Sequence, residues 1–473
     1  AGTLTLSGAN TYTGTTTVTE GTLSLGASDR IANASNLNLN GGTLNLNTFS
    51  EQVGTLTFSN GGGIDFGSQT GANYFLFSSI AGTPSGVLTI SNWQNGTDVI
   101  ASSSALSSTV LDQIYFVGYG AGATQGAAQT VGSYGAGWQP ILAPSTSAGW
   151  TAWDSGAGNN RWSRGANWNP NLANNWTATN TTKVSFGTGG QTTVDLEANR
   201  TINAMRFDAG SASFNIGNGQ ADTLTFDGPN AGSIAFIQQA SSNNQSLTMG
   251  TVNLAKNTVV DMIGSGNLSI SSALTGSGNL VKENTGGTLI LSGNSASYAG
   301  NIFVNAGTLQ ANSANALGNT TGTTTVADGA TLALSGTITS AENITVAGAG
   351  VSGAGALQGV SGTSTLSGTV TLAGATTVGA TTSNTLALGA IGGAGQNLST
   401  TSAGNVNLTG AITTGNGALT VGSSGTVTMS GAANTYTGTT TVNGGTLALA
   451  KAAGVTSLAG NLTVNAGSVR LDN

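Results

Sequence analysis

The stretch GANTYTGTTTVTEGTLSLG at residues 8–26 returns near the other end of the chain as GAANTYTGTTTVNGGTLALA at residues 431–450. A third copy keeps the spacing with looser identities. Tyr298, Gly300, Ile302, Val304, Gly307, Thr308 and Leu309 repeat the positions of Tyr12, Gly14, Thr16, Val18, Gly21, Thr22 and Leu23. Tyr436, Gly438, Thr440, Val442, Gly445, Thr446 and Leu447 repeat them again. Self-similarity at fixed internal spacing points to stacked supersecondary units, each of which buries its apolar face only against its neighbours. A single catalytic site does not require such repetition.

Weaker echoes fill the intervening sequence: LNLNGGTLNLN at 37–47, VADGATLALSG at 326–336 and LTVNAGSVRLD at 462–472. Each reads as strand, short Gly-containing turn, strand. Apolar residues alternate within the strands, as Leu37, Leu39, Leu44 and Leu46 do, so one face points in and one out. Asn-Gly and Asp-Gly provide turn positions that tolerate positive φ. Taken alone, such a pair reads as a hairpin. A sandwich or barrel array is therefore the alternative architecture. The strands are short, numerous and evenly spaced, and no segment carries a helical stripe. The expected fold is thus all-β, a parallel β-helix (β-solenoid) with essentially no α-helix. Rungs about 4.8 Å apart with ~20 residues each would build an elongated rod on the order of 100 Å.

Composition fits a coil whose outer faces are wetted by hydroxyls and amides. Of 473 residues, 6% are charged, Gly accounts for 75 and the net charge is −7. Ten Lys and Arg are too few for a phosphate-tracking stripe, so no nucleic-acid partner is expected. No run of eighteen apolar residues occurs, and no transmembrane segment is expected. The absence of His and Cys removes imidazole bases, thiolate nucleophiles, disulfides and most zinc sites. No metal, no cofactor and no enzymatic activity are expected. Outward Thr suits strands, and Asn stacked in register suggests side-chain amide ladders along the coil.

At the Tyr-x-Gly-x-Thr-x-Val-x-x-Gly-Thr-Leu pattern the chain resembles the autotransporter-associated β-strand repeat of bacterial surface-protein passenger regions. The resemblance extends through NASNLNLNGGTLNLNTFSEQVGTLTFSNGGGIDFG (33–67), VLTISNWQNGTD (87–98) and LDQIYFVGYGAGA (111–123). WDSGAGNNRWSRGANW (153–168) and TTVDLEANRTINAMRFDAG (192–210) look like the start of a second module. The resemblance implies a right-handed β-helix displayed outside a bacterial cell; the stacked architecture itself points to a structural or adhesive protein of a surface stalk or filament. The resemblance implies no particular ligand. It divides the chain into the end of one module at 1–145, a Trp- and Pro-rich junction at 146–183 and a further module at 184–473. On this reading the chain begins mid-module and continues past residue 473. Open strand edges would favour end-to-end self-association.

Chemistry could hide in two places. Asp195 and Glu197 lie two apart in TTVDLEANRTI, on one strand face. Paired carboxylates serve glycosidases, but solvated acids beside inward Val194 and Leu196, near Arg200, are the expected reading. Six of the seven Trp fall between Trp138 and Trp176. Exposed indoles stack on sugar rings, so a glycan-binding module using Trp150, Trp153, Trp162, Trp168 and Trp176 is the alternative function, with surface glycans as partner. The same residues would also cap a coil at a module junction, and packing is the expected role. Pro140, Pro144 and Pro170 mark an irregular join, because Pro removes a ladder donor.

Overall fold

Parallel pairing dominates the molecule from its first strand. The computed structural model describes residues 2–472, apart from 59–60, 68–71, 83, 85, 95–96, 112, 118–119, 122, 126–127, 130, 143–149, 231–232, 402 and 423. Stacked parallel strands form a β-solenoid of about 20 turns. Among the described residues, helix is limited to Ser108–Leu111 and three single 3-10 turns, Gly132–Tyr134, Gly165–Asn167 and Val351–Gly353. The chain divides into two compact units, Gly2–Trp150 with Asp227–Phe236, and Thr151–Phe226 with Ile237–Asn473. Pro144 lies outside the described residues.

In the first unit, Thr3–Leu6, Thr22–Leu25, Thr43–Asn45, Gly62–Asp65, Leu88–Ser91 and Ile114–Phe116 pair in sequence, all parallel. Period-two alternation then stacks like on like. Leu4, Leu23, Leu44, Ile64, Ile90 and Phe116 form one column in register. Leu44, Ile64, Ile90 and Phe116 are fully buried. Burying each such side chain contributes about 1.5–3 kcal/mol. A second ladder runs through Thr16–Val18, Leu37–Leu39, Glu51–Thr57, Tyr74–Ile80 and Val99–Ser102.

Both ladders of this unit stop on antiparallel strands, which the sequence pattern did not show. Ile114–Phe116 pairs antiparallel with Gly120–Ala121, and Val99–Ser102 with Gln139–Leu142. Antiparallel closure occupies an edge that would otherwise template further pairing. Pro140 sits in this closing strand, opposite Ala101. Trp138 packs here with Leu76, Ala101 and Val131, its indole N–H donating to the Tyr134 carbonyl at 3.1 Å. It thus belongs to the first unit, whereas Trp153, Trp162, Trp168 and Trp176 belong to the second.

The second unit begins with an antiparallel pair, Trp153 opposite Trp168, and is parallel from Lys183–Phe186 onward. Leu366, Leu388, Leu408, Met429 and Leu449 form an interior column. Thr377, Ser399, Thr420, Thr441 and Thr463 form an outer hydroxyl column. One face of the coil is built by a four-stranded sheet ending at Ala273–Gly276 and resumes as a seven-stranded sheet from Thr339–Ser340. Between them the chain crosses that face in turns, and the buried Tyr298 ring fills the interior.

Asn side chains do stack in register, but mostly in a different bond from the expected amide-to-amide ladder. Asn257, Asn279 and Asn301 each offer Oδ1 to the backbone N–H 22 residues on, of Asn279, Asn301 and Thr323, at 3.0 Å. These residues stand at coil corners, where strand pairing lapses and an N–H needs an acceptor. True amide-to-amide contacts occur at Asn294–Asn315 and Asn443–Asn465.

Candidate functional site

The tryptophan segment is built as a packed plug. Trp153 and Trp168 meet edge to face at 5.0 Å, Trp162 and Trp168 at 4.7 Å, and Trp168 and Trp176 at 5.2 Å. Phe186 continues the cluster from Trp153 and Trp168 towards Phe207 and Phe214. Edge-to-face geometry matches the positive ring edge to the negative π face. Trp153, Trp162 and Trp168 are buried, so their rings offer no open face, while Trp150 and Trp176 are half-buried. The Trp153 indole N–H donates to the Gln191 carbonyl at 2.9 Å, and that of Trp168 to the Trp162 carbonyl at 2.8 Å. Trp162 has a buried indole N–H with no acceptor among the described residues.

The loop that presents these rings is held by Asn167. Its amide donates to Asn159 Oδ1 and the Arg161 carbonyl, and its Oδ1 accepts from the Ala157 N–H. Gly165 is required by close approach, since a Cβ there would lie 1.7 Å from the Leu172 carbonyl oxygen. The Asn169–Pro170 bond is cis.

Asp195 and Glu197 take separate local roles. Asp195 Oδ1 accepts the Glu197 N–H at 3.0 Å, while Glu197 pairs with Arg161 and accepts the Ser163 N–H at 2.8 Å. Burial alone would raise the Glu197 carboxyl. The Ser163 hydrogen bonds and the Arg161 guanidinium outweigh it and hold the group below the ordinary range. Arg200 donates its hydrogen bonds to the Leu196 and Trp176 carbonyls and stays within electrostatic reach of Glu197, Asp222 and Asp195. Val194 and Leu196 are buried as expected. Among the described residues, no group of three His, Cys, Asp or Glu gathers as a metal site, and no helix is long and apolar enough to cross a membrane.

The repeat motif has a structural meaning at each position. Its Tyr sits where one face is a turn and not a strand; Tyr298 and Tyr436 are fully buried and fill the interior, whereas Tyr12 is 40% exposed. Where the residue four positions on is Thr, the two hydroxyls meet, at 2.6 Å for Tyr436–Thr440 and for Tyr12–Thr16. In the copy at Tyr298, Ile302 occupies that position, and the Tyr298 hydroxyl instead donates to the Gly278 carbonyl at 2.8 Å. The motif Gly of the two later copies lies against the rung below, whereas around Gly14 the space is open. A Cβ at Gly300 would sit 2.2 Å from the Gly278 oxygen, and one at Gly438 2.2 Å from the Gly417 oxygen.

Several interior ionisable groups escaped the sequence pattern. Lys282 is buried, and its ammonium donates to the Glu283, Asn284 and Ala306 carbonyls at 3.2, 2.6 and 2.9 Å. Burial brings its pKa down to about 8, against the opposing pull of Glu283 and Asp261. Asp261, also buried, accepts from Gln238 and Asn284. Glu51 is buried in the first unit, accepting the Arg30, Ile31 and Gln52 N–H groups. A signal was present for two of these. Glu51 shares the inward face with Val53, and Lys282 shares it with Leu280.

Stacked rungs, a tyrosine-filled turn and a glycine at the inter-rung contact define a repeat-built β-solenoid. Residues 1–25, 280–311 and 419–449 match the passenger-associated-transport-repeat family. These matches coincide with the copies at Tyr12, Tyr298 and Tyr436, and they are consistent with the repeats of autotransporter passengers. Searches of curated proteins and of solved structures found no match.

Proposed function

We propose that this chain is a structural or adhesive β-solenoid of a bacterial surface stalk or filament, extracellular and without catalysis. The reading rests on one observation above others. From rung to rung the strand backbone is committed to the next turn, and the outer columns, such as Thr377 to Thr463, are uncharged hydroxyls. A neutral, hydrated and fully paired ladder suits a spacer exposed to proteases. The passenger-type repeats support a place outside the cell.

End-to-end association belongs to the same proposal. An open parallel edge of a stacked coil templates pairing with a further strand. Expressed in its native bacterial host, the protein should reach the cell surface, label with external antibody and resist externally added protease. Retention inside the cell would reject the proposal, as would hydrolysis of polysaccharide by the pure chain.

The second reading, glycan contact, narrows to Trp150 and Trp176, the two half-buried indoles. Trp176 stacks parallel to the buried Trp162, their centroids 6.1 Å apart. A glycan array should show binding that Trp176→Ala abolishes. Equal signals from wild type and variant would remove this reading.

A further inference from the structure

Glu342 stands where the interrupted face of the second unit resumes, just after Thr339–Ser340 and just before Asn343–Gly348. Its side chain is buried. Oε1 accepts the Thr324 hydroxyl from the rung below at 3.2 Å, and Oε2 has no partner among the described residues. The rung above closes over the site, since a Cβ at Gly368 would lie 2.2 Å from the Glu342 carbonyl oxygen. Ladder bonds run past it on the same corner. The Ile344 N–H donates to the Thr369 carbonyl, and the Thr369 N–H to Asn343 Oδ1.

The neighbouring strands offer the carboxyl no counter-charge. Thr323–Val326, Asn343–Gly348 and Val370–Ala380 contain no titratable residue. Tyr298, in the turn that fills the same face, is the titratable side chain whose environment senses Glu342. An ionised carboxylate has only acceptor capacity and is costly to bury without a donor or cation. A neutral carboxylic acid can still accept from Thr324 and sheds the charge. Burial, opposed by the Thr324 hydrogen bond, accordingly pushes Glu342 up to about 7.

We propose that Glu342 is a proton-operated latch, closed as the neutral acid and loosening the seam between Thr324, Ile344 and Thr369 when the proton leaves. The sign follows from linkage. The unfolded carboxyl ionises near 4.5 and the folded one near 7. Between those values the folded state binds more protons, so stability falls as pH rises. The inference concerns the fold and is independent of where the protein is displayed.

Hydrogen exchange on the full chain tests it, with amide protection corrected for the intrinsic rate at each pH. In the wild type, protection of peptides covering Thr324, Ile344 and Thr369 should fall about tenfold or more between pH 5.5 and pH 8.5. In Glu342→Gln, which keeps the shape without the ionisation, it should change less than about threefold. Equal behaviour of wild type and variant would overturn the proposal. Thr324→Val provides an independent arm should Glu342→Gln fail to fold. Removing the one hydrogen bond to the carboxyl should move the loss of protection to higher pH, and an unmoved or lowered midpoint would count against the latch.

Discussion

Gly438 and Gly189 show what decides a glycine in this chain. Neither needs a left-handed backbone, but a Cβ on Gly438 would meet a carbonyl oxygen of the rung below at 2.2 Å, whereas around Gly189 the space is open. Gly438→Ala should cost about 1–3 kcal/mol by overpacking, and Gly189→Ala should stay within about 0.5 kcal/mol, both read by urea denaturation. Asn279→Ala strands the Asn301 N–H and should cost about 1 kcal/mol. The motif residues were legible because their spacing repeats. Glu51 and Lys282 were legible only in part. Alternation places them inward with Val53 and Leu280, but their partners are backbone groups of neighbouring turns that no side-chain pattern encodes.

At the scale of the element, strands and interior columns followed from alternation and turn chemistry, while the closing pieces did not. Val99–Ser102 is capped by Gln139–Leu142, a pairing set by where the chain folds back and not by local periodicity. The tryptophan plug was readable as a cluster, yet the sequence could not sort buried from half-buried rings. Trp162 packs against both Trp168 and Trp176. Trp162→Ala should therefore destabilise the second unit by about 3–5 kcal/mol. Trp176→Ala, at a half-buried site, should cost less. Denaturation followed by the remaining tryptophan fluorescence would order the two, and a Trp176 effect equal to that of Trp162 would contradict the plug.

Across the whole molecule, each unit holds one interior carboxyl raised by burial from 4.5 to about 7, Glu51 in the first and Glu342 in the second. Both folded pKa values exceed the unfolded ones, so the stability these two groups contribute is fully present below about pH 4.5 and is lost as pH rises through about 7. Thermal melts at pH 5 and pH 8 should show a lower Tm at pH 8. The central claim is that each rung pairs with the rung one turn away. With no native Cys, paired substitutions give a clean probe. Thr420 lies opposite Thr441 in the parallel ladder, whereas a local hairpin would bring Thr420 beside Thr428. Thr420→Cys with Thr441→Cys should oxidise readily to a disulfide, and Thr420→Cys with Thr428→Cys should not. The opposite outcome would contradict the stacked solenoid.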